Sequence, residues 1–341
     1  NLLSVDRVTD TEEGGNQLQV AVSFPAIDPD AKQQREVLHT TSKTLKGARI
    51  RLSRQTHRLL VSGQLRNVLI GQSLARTGIW EHIDMLNRDP SMGQRIQLTV
   101  VEGKAIDVIT GNYPQNPKAG TFIHQLVEKE AKTHTIPEVN LYHFMRDYLD
   151  DGIDPALPII KKVGERVQTN GIALFRGDRY VARISPDKGL LFAMLRDNIK
   201  QGELSMDLSE KGTEETLMLS SIASKRNIRV KRLHPLLPKF EVEIQLDAKG
   251  SLLEYIGPLS LQNNEDQLKL EKKMEQYIKQ EADALLAYMQ KNRADSIGIG
   301  QYVRNSLTYQ EWKKLEWNEV FPKVKITTRV KVKIKNFGKV Q

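Results

Sequence analysis

The side chains best suited to chemistry in this 341-residue sequence are its histidines and paired carboxylates, and their spacing matches no catalytic pattern. The seven histidines, at 39, 57, 82, 124, 134, 143 and 234, include no His-x-x-x-His pair of the kind that holds zinc on a helix. The aspartates of DDGID (150–154) lack the carboxylate spacing of a calcium loop, and we interpret them as a helix end and a turn. The chain has no cysteine, which excludes thiolate catalysis, disulfides and cysteine-ligated zinc. We therefore predict no catalytic, cofactor-binding or metal-binding residues, and no enzyme activity.

The glycines of SIGIG (296–300) do not form a phosphate-binding loop. A dinucleotide loop follows a strand and opens a helix, whereas the segment before this one has the pattern of a helix. We predict that Gly298 and Gly300 let the chain turn after that helix.

The most regular pattern is KVKITTRVKVKIK, Lys323 to Lys335, in which cationic and aliphatic residues alternate. Residues 323–341 contain seven Lys or Arg and no Asp or Glu, which leaves 9 − 7 = +2 of the net charge for the rest of the chain. Such a segment suits a nucleic-acid-binding arm, a membrane surface or half of a sheet. A nucleic-acid-binding surface combines basic residues with aromatic or helical reading elements, which are missing here, so we predict no nucleic-acid partner.

Alternation predicts a strand whose aliphatic half is buried. The stretch FEVEIQLD (240–247) places Glu241, Glu243 and Asp247 on one side, and beside the basic strand these acids would neutralise part of its charge. The remaining cations predict a partner or membrane surface at Lys325, Arg329, Lys331 and Lys333.

Trp312 and Trp317 allow two interpretations. They form either a hydrophobic plug against the long helix or part of the same contact surface.

The elements that position these residues alternate between strand and helix patterns, which predicts a mixed α/β or α+β fold. NYPQNP (112–117) and LSEKGTEET (208–216) have the polar, turn-rich composition of domain boundaries. We predict three domains in series: 1–113 mixed α/β, 114–212 with helices and a hairpin, and 213–341 with an antiparallel sheet. A long helix at 266–292 is expected to pack on one face of that sheet, with its apolar stripe in the core.

Several short motifs, in this order along the chain, carry a family resemblance. They are GQLRNVLIGQSLARTGI, RDP, GKAIDVI, DPALP, GIALFRGD, ADSIGIGQYVR, EWKKLEWNEVFP and KVKVKIKNFG. Together they resemble the Ger(x)C germination lipoprotein family, the C subunit of bacterial spore nutrient germinant receptors.

The resemblance implies a non-catalytic receptor subunit with three mixed α/β domains, without cofactors. It implies two integral-membrane partner subunits and a lipid anchor on the outer, exported face of the spore inner membrane. The family's lipidated cysteine is absent from this sequence, so we expect the chain to be the soluble part without its lipobox. An alternative is that the subunit itself binds the nutrient in a pocket between domains, around the helices at 121–150.

Overall fold

A computed structural model describes residues 1–8, 17–25, 35–116, 118–210, 212–234 and 238–336. Positions 117, 211, 337 and 338, which belong to motifs quoted above, lie outside the described residues. The chain divides into two compact units. Unit 1 comprises Asn1–Asp150 and Pro155–Pro186, and unit 2 comprises Asp151–Asp154 and Asp187–Gln341.

Unit 1 is built on an eight-stranded sheet of order β3-β2-β1-β4-β5-β6-β7-β8. Its strands are β1 (Leu2–Val8), β2 (Gln17–Pro25), β3 (Arg35–Ser42), β4 (Asn67–Gly71), β5 (Gln97–Val101), β6 (Ala156–Val163), β7 (Arg166–Arg176) and β8 (Arg179–Ile184). The central strands β1, β4, β5 and β6 run parallel, and antiparallel strands flank them on both sides.

Helices cover both faces of this sheet. They are α1 (Leu45–Ser53), α2 (Gln72–Thr77), α3 (Trp80–Arg88), α4 (Ala105–Ile109), α5 (Ala119–Lys132) and α6 (Leu141–Leu149). Buried side chains of α1, α2, α3 and α6 belong to one hydrophobic core, and those of α4 and α5 belong to a second. Because successive strand residues point to opposite faces, Ile70 enters the first core and Leu69 the second.

A buried carboxylate joins the parallel strands to α4. Asp6 of β1 accepts hydrogen bonds from the backbone N–H groups of Ala105 and Ile106, each 2.7 Å long. Gly71, at the end of β4, leaves the space that this carboxylate occupies, because a Cβ there would lie 1.9 Å from Asp6 Oδ1. Burial raises the pKa of Asp6 above its usual value.

Unit 2 contains a four-stranded sheet of order β12-β11-β10-β9. Its strands are β9 (Leu204–Asp207), β10 (Thr216–Arg232), β11 (Phe240–Ile256) and β12 (Lys325–Asn336). Its helices are α7 (Gly189–Arg196), α8 (Asn264–Lys291), α9 (Ile299–Asn305), α10 (Tyr309–Lys313) and α11 (Trp317–Val320). Short 3₁₀ turns lie at Ser62–Gln64, Pro186–Lys188 and Phe321–Lys323.

The mixed α+β fold and the long helix on one face of the last sheet are confirmed. The predicted stripe of α8 is buried: Leu270, Met274, Ile278, Leu285 and Met289. The prediction that the whole sheet is antiparallel is wrong at one pair, since β12 runs parallel to β11. The two strands are parallel because α8, which lies between them in the chain, carries the chain back to the edge of the sheet at which β11 begins. β12 then runs in the same direction as β11.

The three-domain division stays a prediction. Strands from residues 1–113 and from residues 156–184 share the large sheet, and the compact units have other limits.

We expect Gly71→Ala to destabilise unit 1 by about 2–4 kcal/mol, because a displaced Asp6 leaves one buried and one partly buried N–H donor without an acceptor. Urea unfolding of the variant measures this loss. Gly93→Ala is the control, since a Cβ there meets no atom within 4 Å. Equal stability of the two variants would contradict the role assigned to Asp6.

Candidate functional site

The basic segment is the edge strand of the unit 2 sheet, and its alternation has the predicted consequence. Thr328, Val332 and Ile334 are buried on the side of α8. Lys325, Arg329, Lys331 and Lys333 are all exposed. The sequence therefore predicted these four cations correctly as one exposed row.

The acidic strand β11 lies beside β12, and two of its carboxylates pair with the row. Lys325 lies 2.6 Å from Glu241 and Arg329 lies 2.8 Å from Glu243. The hydrogen bond from Lys325 lowers the pKa of Glu241. These pairs are exposed, so water and salt screen them, and they stabilise the strand pairing only weakly.

A surplus of positive charge remains on the sheet surface that faces away from α8. We define this surface, called the basic face below, by its charged side chains. The cations are Lys225, Arg229, Lys231, Lys249, Lys325, Arg329, Lys331 and Lys333, and the acids are Glu241, Glu243 and Asp247. The net charge of the basic face is therefore 8 − 3 = +5.

Lys331 is the member of the row that lacks an ion pair with any residue the structure describes. Its register neighbour is Asp247, but both oxygens of that carboxylate accept 3.0 Å hydrogen bonds from Gln245. A cation in this position is available to an anionic group from another molecule.

The open edge of β12 is covered by carboxylates of α8. Glu275 accepts a 3.0 Å hydrogen bond from the N–H of Val332, and Glu271 accepts a 2.9 Å bond from the N–H of Ile334. Lys333 also lies 3.3 Å from Glu271. Because these backbone N–H groups already have acceptors, the last part of the β12 edge cannot use them to pair with another strand. Sequence reasoning missed these acids, although their four-residue spacing beside the apolar stripe of α8 was visible.

A groove of about 1220 Å³ adjoins this strand in unit 2. Its lining comes from α8, from three strands and from the segment after α7: Asn198–Lys200, Ala223–Lys225, Asp247–Lys249, Glu275, Gln276, Lys279 and Thr328–Lys333. Cations outnumber acids in this lining, so the groove and the basic face have the same electrostatic preference.

The two tryptophans do not join the row of cations on the surface. Trp312 and Trp317 are buried, with 6% and 8% of their surface exposed. Their rings are 5.9 Å apart, and Trp317 also contacts Phe321 at 5.8 Å. The interpretation as a hydrophobic plug fits this packing, and these side chains contribute no exposed contact surface to the chain.

The indole of Trp317 contacts the buried carboxylate of Asp295, which forms no ion pair with the residues that the structure describes, although the Arg226 guanidinium interacts with it electrostatically. Asp295 accepts hydrogen bonds from the N–H groups of Ile299 (3.0 Å) and Gly300 (2.7 Å) and from Nε1 of Trp317 (3.0 Å). Burial raises the pKa of the Asp295 carboxyl to about 7, although the three donors favour its charged form.

Asp154 completes this buried cluster. Its carboxylate accepts a 2.8 Å hydrogen bond from the N–H of Asp295, and its own N–H donates to the Asp295 carbonyl at 3.0 Å. Gly152 and Gly300 lie in such close contact that a Cβ on either would come within 2.7 Å of the other. Residues from DDGID, SIGIG and EWKKLEWNEVFP therefore meet in one structural cluster. The predicted turn at Gly298 is confirmed by its left-handed φ of 75°.

In the parts of the chain that the structure describes, no group of three or more acidic or histidine side chains could hold a metal ion. No helix of the described ranges is long and apolar enough to cross a membrane.

Comparisons with known proteins agree along nearly the whole chain. Residues 2–162 match the family described as spore germination protein N-terminal domain, and residues 170–338 match spore germination B3/GerAC like, C-terminal. Spore germination protein GerQC of Bacillus cereus is 27% identical over 330 residues, which cover 96% of this chain and 90% of that protein. Putative spore germination protein YfkR of Bacillus subtilis (strain 168) is 24% identical over 292 residues, with coverages of 83% and 74%.

The fold has a match among solved structures. The crystal structure of the GerBC protein superposes with a TM-score of 0.63 at 17% identity, covering 98% of this chain and 97% of that one.

The raised pKa of Asp295 predicts a pH dependence of stability. The folded protein binds this proton at a higher pH than the unfolded chain, so the contribution of Asp295 to the free energy of unfolding increases as pH falls from above 7 toward 4. The slope from one group is at most about 1.4 kcal/mol per pH unit. Urea unfolding at pH 5, 6, 7 and 8 should show this rise for the wild type and a flatter profile for Asp295→Asn.

A second measurement tests the raised pKa of Asp295 even if the Asp295→Asn variant folds poorly. Because Trp317 donates to Asp295, the tryptophan fluorescence of the wild type should change with a midpoint near the pKa of about 7. Trp317→Phe is the control and should lack the transition. If the wild type and Trp317→Phe gave the same titration curve, the fluorescence change could not be assigned to Asp295.

Proposed function

The chain belongs to the GerAC-like family of spore germination proteins, and on this premise we propose that it is a non-catalytic subunit of a germinant receptor. The observation that carries the proposal is the match of both family domains over residues 2–162 and 170–338. A role in spore germination follows from the family. The subunit role and its mechanism are proposals.

The buried aspartate cluster supports a role without catalysis. Asp295 is 1% exposed and all of its described hydrogen bonds come from backbone or indole N–H groups of the same unit. A general acid or base must reach a substrate, whereas this carboxylate is enclosed by the fold that it holds together. The segments that meet at Asp295 therefore act in folding.

We place the subunit at the outer face of the spore inner membrane, held by a lipid on a residue upstream of this sequence. The partners in this proposal are two integral-membrane subunits of the same receptor. One lipid chain gives only marginal, reversible membrane binding, so a second contact is needed for stable attachment.

The basic face supplies a contact surface of this kind. Its net charge of +5 and the neighbouring groove favour an acidic surface of a partner subunit, as does Lys331, which forms no ion pair with a described residue. Salt and competing anions should weaken such a contact, because its cations are exposed.

We expect spores without this chain to lose their response to at least one nutrient, and the wild-type gene to restore it.

The double variant Lys225→Glu with Lys331→Glu changes the net charge of the basic face from +5 to +1, since each reversal lowers the charge by two. It should reduce recovery with the membrane subunits by about tenfold. The germination response should fall with it. The measurements are nutrient-triggered germination and co-purification from detergent-solubilised spore membranes.

The matched control is Lys272→Glu with Lys291→Glu, which makes the same change of net charge on exposed positions of α8. A normal response in spores without the chain would contradict the receptor role. Equal recovery of both double variants would instead remove only the basic face from the proposal. A saturable heat on titrating nutrients into the isolated chain would favour the alternative of direct nutrient binding.

A further inference from the structure

A second basic region lies in unit 1, within a stretch that contains no acidic residue. Residues 37–80 carry eight Lys or Arg and no Asp or Glu: Lys43, Lys46, Arg49, Arg51, Arg54, Arg58, Arg66 and Arg76. The residues outside this stretch and outside 323–341 therefore have a net charge of 9 − 7 − 8 = −6. The interpretation that the basic character lies mostly in the last segment was incomplete.

The same stretch exposes aliphatic side chains. Leu59 is 89% exposed, Val61 is 60% exposed and Ile50 is 53% exposed. Leu60 and Leu65 pack against the core, so the loop between α1 and β4 is held in place while Leu59 and Val61 project from it. We call Ile50, Leu59 and Val61, with the cations around them, the 46–66 surface.

The cations of the 46–66 surface differ in whether they form an ion pair with a described residue. Arg49 pairs with Asp89 at 3.0 Å and Arg58 with Glu36 at 3.5 Å. Lys46, Arg54 and Arg66 form no ion pair with the residues that the structure places. Lys46, Ile50 and Arg54 are spaced four residues apart on or beside α1, which puts Ile50 between two cations on one helix face.

The first residue of the sequence lies beside this surface. The amino group of Asn1 is 3.4 Å from the carbonyl oxygen of Gln64, and the N–H of Arg66 donates to the carbonyl of Asn1 at 3.1 Å. A lipid tether attached upstream of Asn1 would therefore leave unit 1 next to Leu59 and Val61. This step rests on the proposed function.

We propose that the 46–66 surface binds an anionic lipid bilayer, with Leu59 and Val61 inserted at the boundary between headgroups and acyl chains. Exposed aliphatic side chains gain free energy on leaving water, and basic residues near an anionic membrane are attracted to its surface. The 46–66 surface combines exposed aliphatic side chains with cations, and it lies next to Asn1, from which a tether would extend. It adds a direct membrane contact to the single lipid chain, beside the partner contact proposed for the basic face.

The absence of cysteine from the sequence allows a direct test on the soluble chain. Leu59→Cys, labelled with an environment-sensitive fluorophore, is mixed with vesicles of phosphatidylglycerol and phosphatidylcholine or of phosphatidylcholine alone. We expect a blue shift with the anionic vesicles. The control label is at Leu253→Cys on β11, a leucine that is 64% exposed, and its emission should not change.

Binding to the same vesicles by flotation separates the two contributions. Leu59→Ser with Val61→Ser should lower the partition coefficient at least about tenfold, while Leu253→Ser leaves it unchanged. Arg54→Gln with Arg66→Gln should lower binding to anionic vesicles by about fivefold per cation, and the effect should fade as salt rises. Lys331→Glu should bind as the wild type does.

No shift at position 59, or an equal shift at 59 and 253, would overturn the proposal. Loss of vesicle binding in Lys331→Glu with none in the Leu59 and Val61 variant would also overturn it and assign the lipid contact to β12. These assays use neither the tether nor the partner subunits, so their failure leaves the receptor role standing. Conversely, failure of the germination experiment leaves the vesicle result intact.

Discussion

The carboxylate of Asp295 is buried and forms no ion pair with the residues that the structure describes, and the arrangement of unit 2 depends on keeping it hydrogen-bonded. An isolated charge in a protein interior is strongly unfavourable unless donors surround it or it takes up a proton. Here the start of α9, the indole of Trp317 and the backbone around Asp154 supply the contacts. Three segments far apart in sequence are thereby fixed, among them the residues that lead into β12.

Asp6 shows that unit 1 uses the same principle. Its carboxylate joins β1 to the first residues of α4, and Gly71 leaves the space for it. In both units the short motifs shared with the family surround a buried acid that holds backbone N–H groups. Such motifs define the fold, so the contacts with other molecules in our proposal lie on exposed charged surfaces instead.

The sequence predicted what depends on local periodicity. The alternation of β12 and the buried stripe of α8 follow from spacing alone, and the structure agrees. Long-range pairing could not be predicted in this way. Nothing near β6 indicates that it joins β5 across the three intervening helices, and the direction of β12 depends on the path of α8 between two neighbouring strands. The exposed Leu59 was missed because the short apolar run Leu59-Leu60-Val61 does not show which of its side chains is buried, and only the fold shows that Leu59 points to solvent.

The central claim is that this chain acts by contact with integral-membrane subunits through the basic face. Lys331→Cys and Lys272→Cys can each carry a photo-crosslinker in the lipidated protein within spore membranes, since the sequence contains no other cysteine. The account predicts adducts with integral-membrane proteins from position 331 and none from position 272. Equal adducts from both positions, or adducts from position 331 with lipid alone, would contradict it.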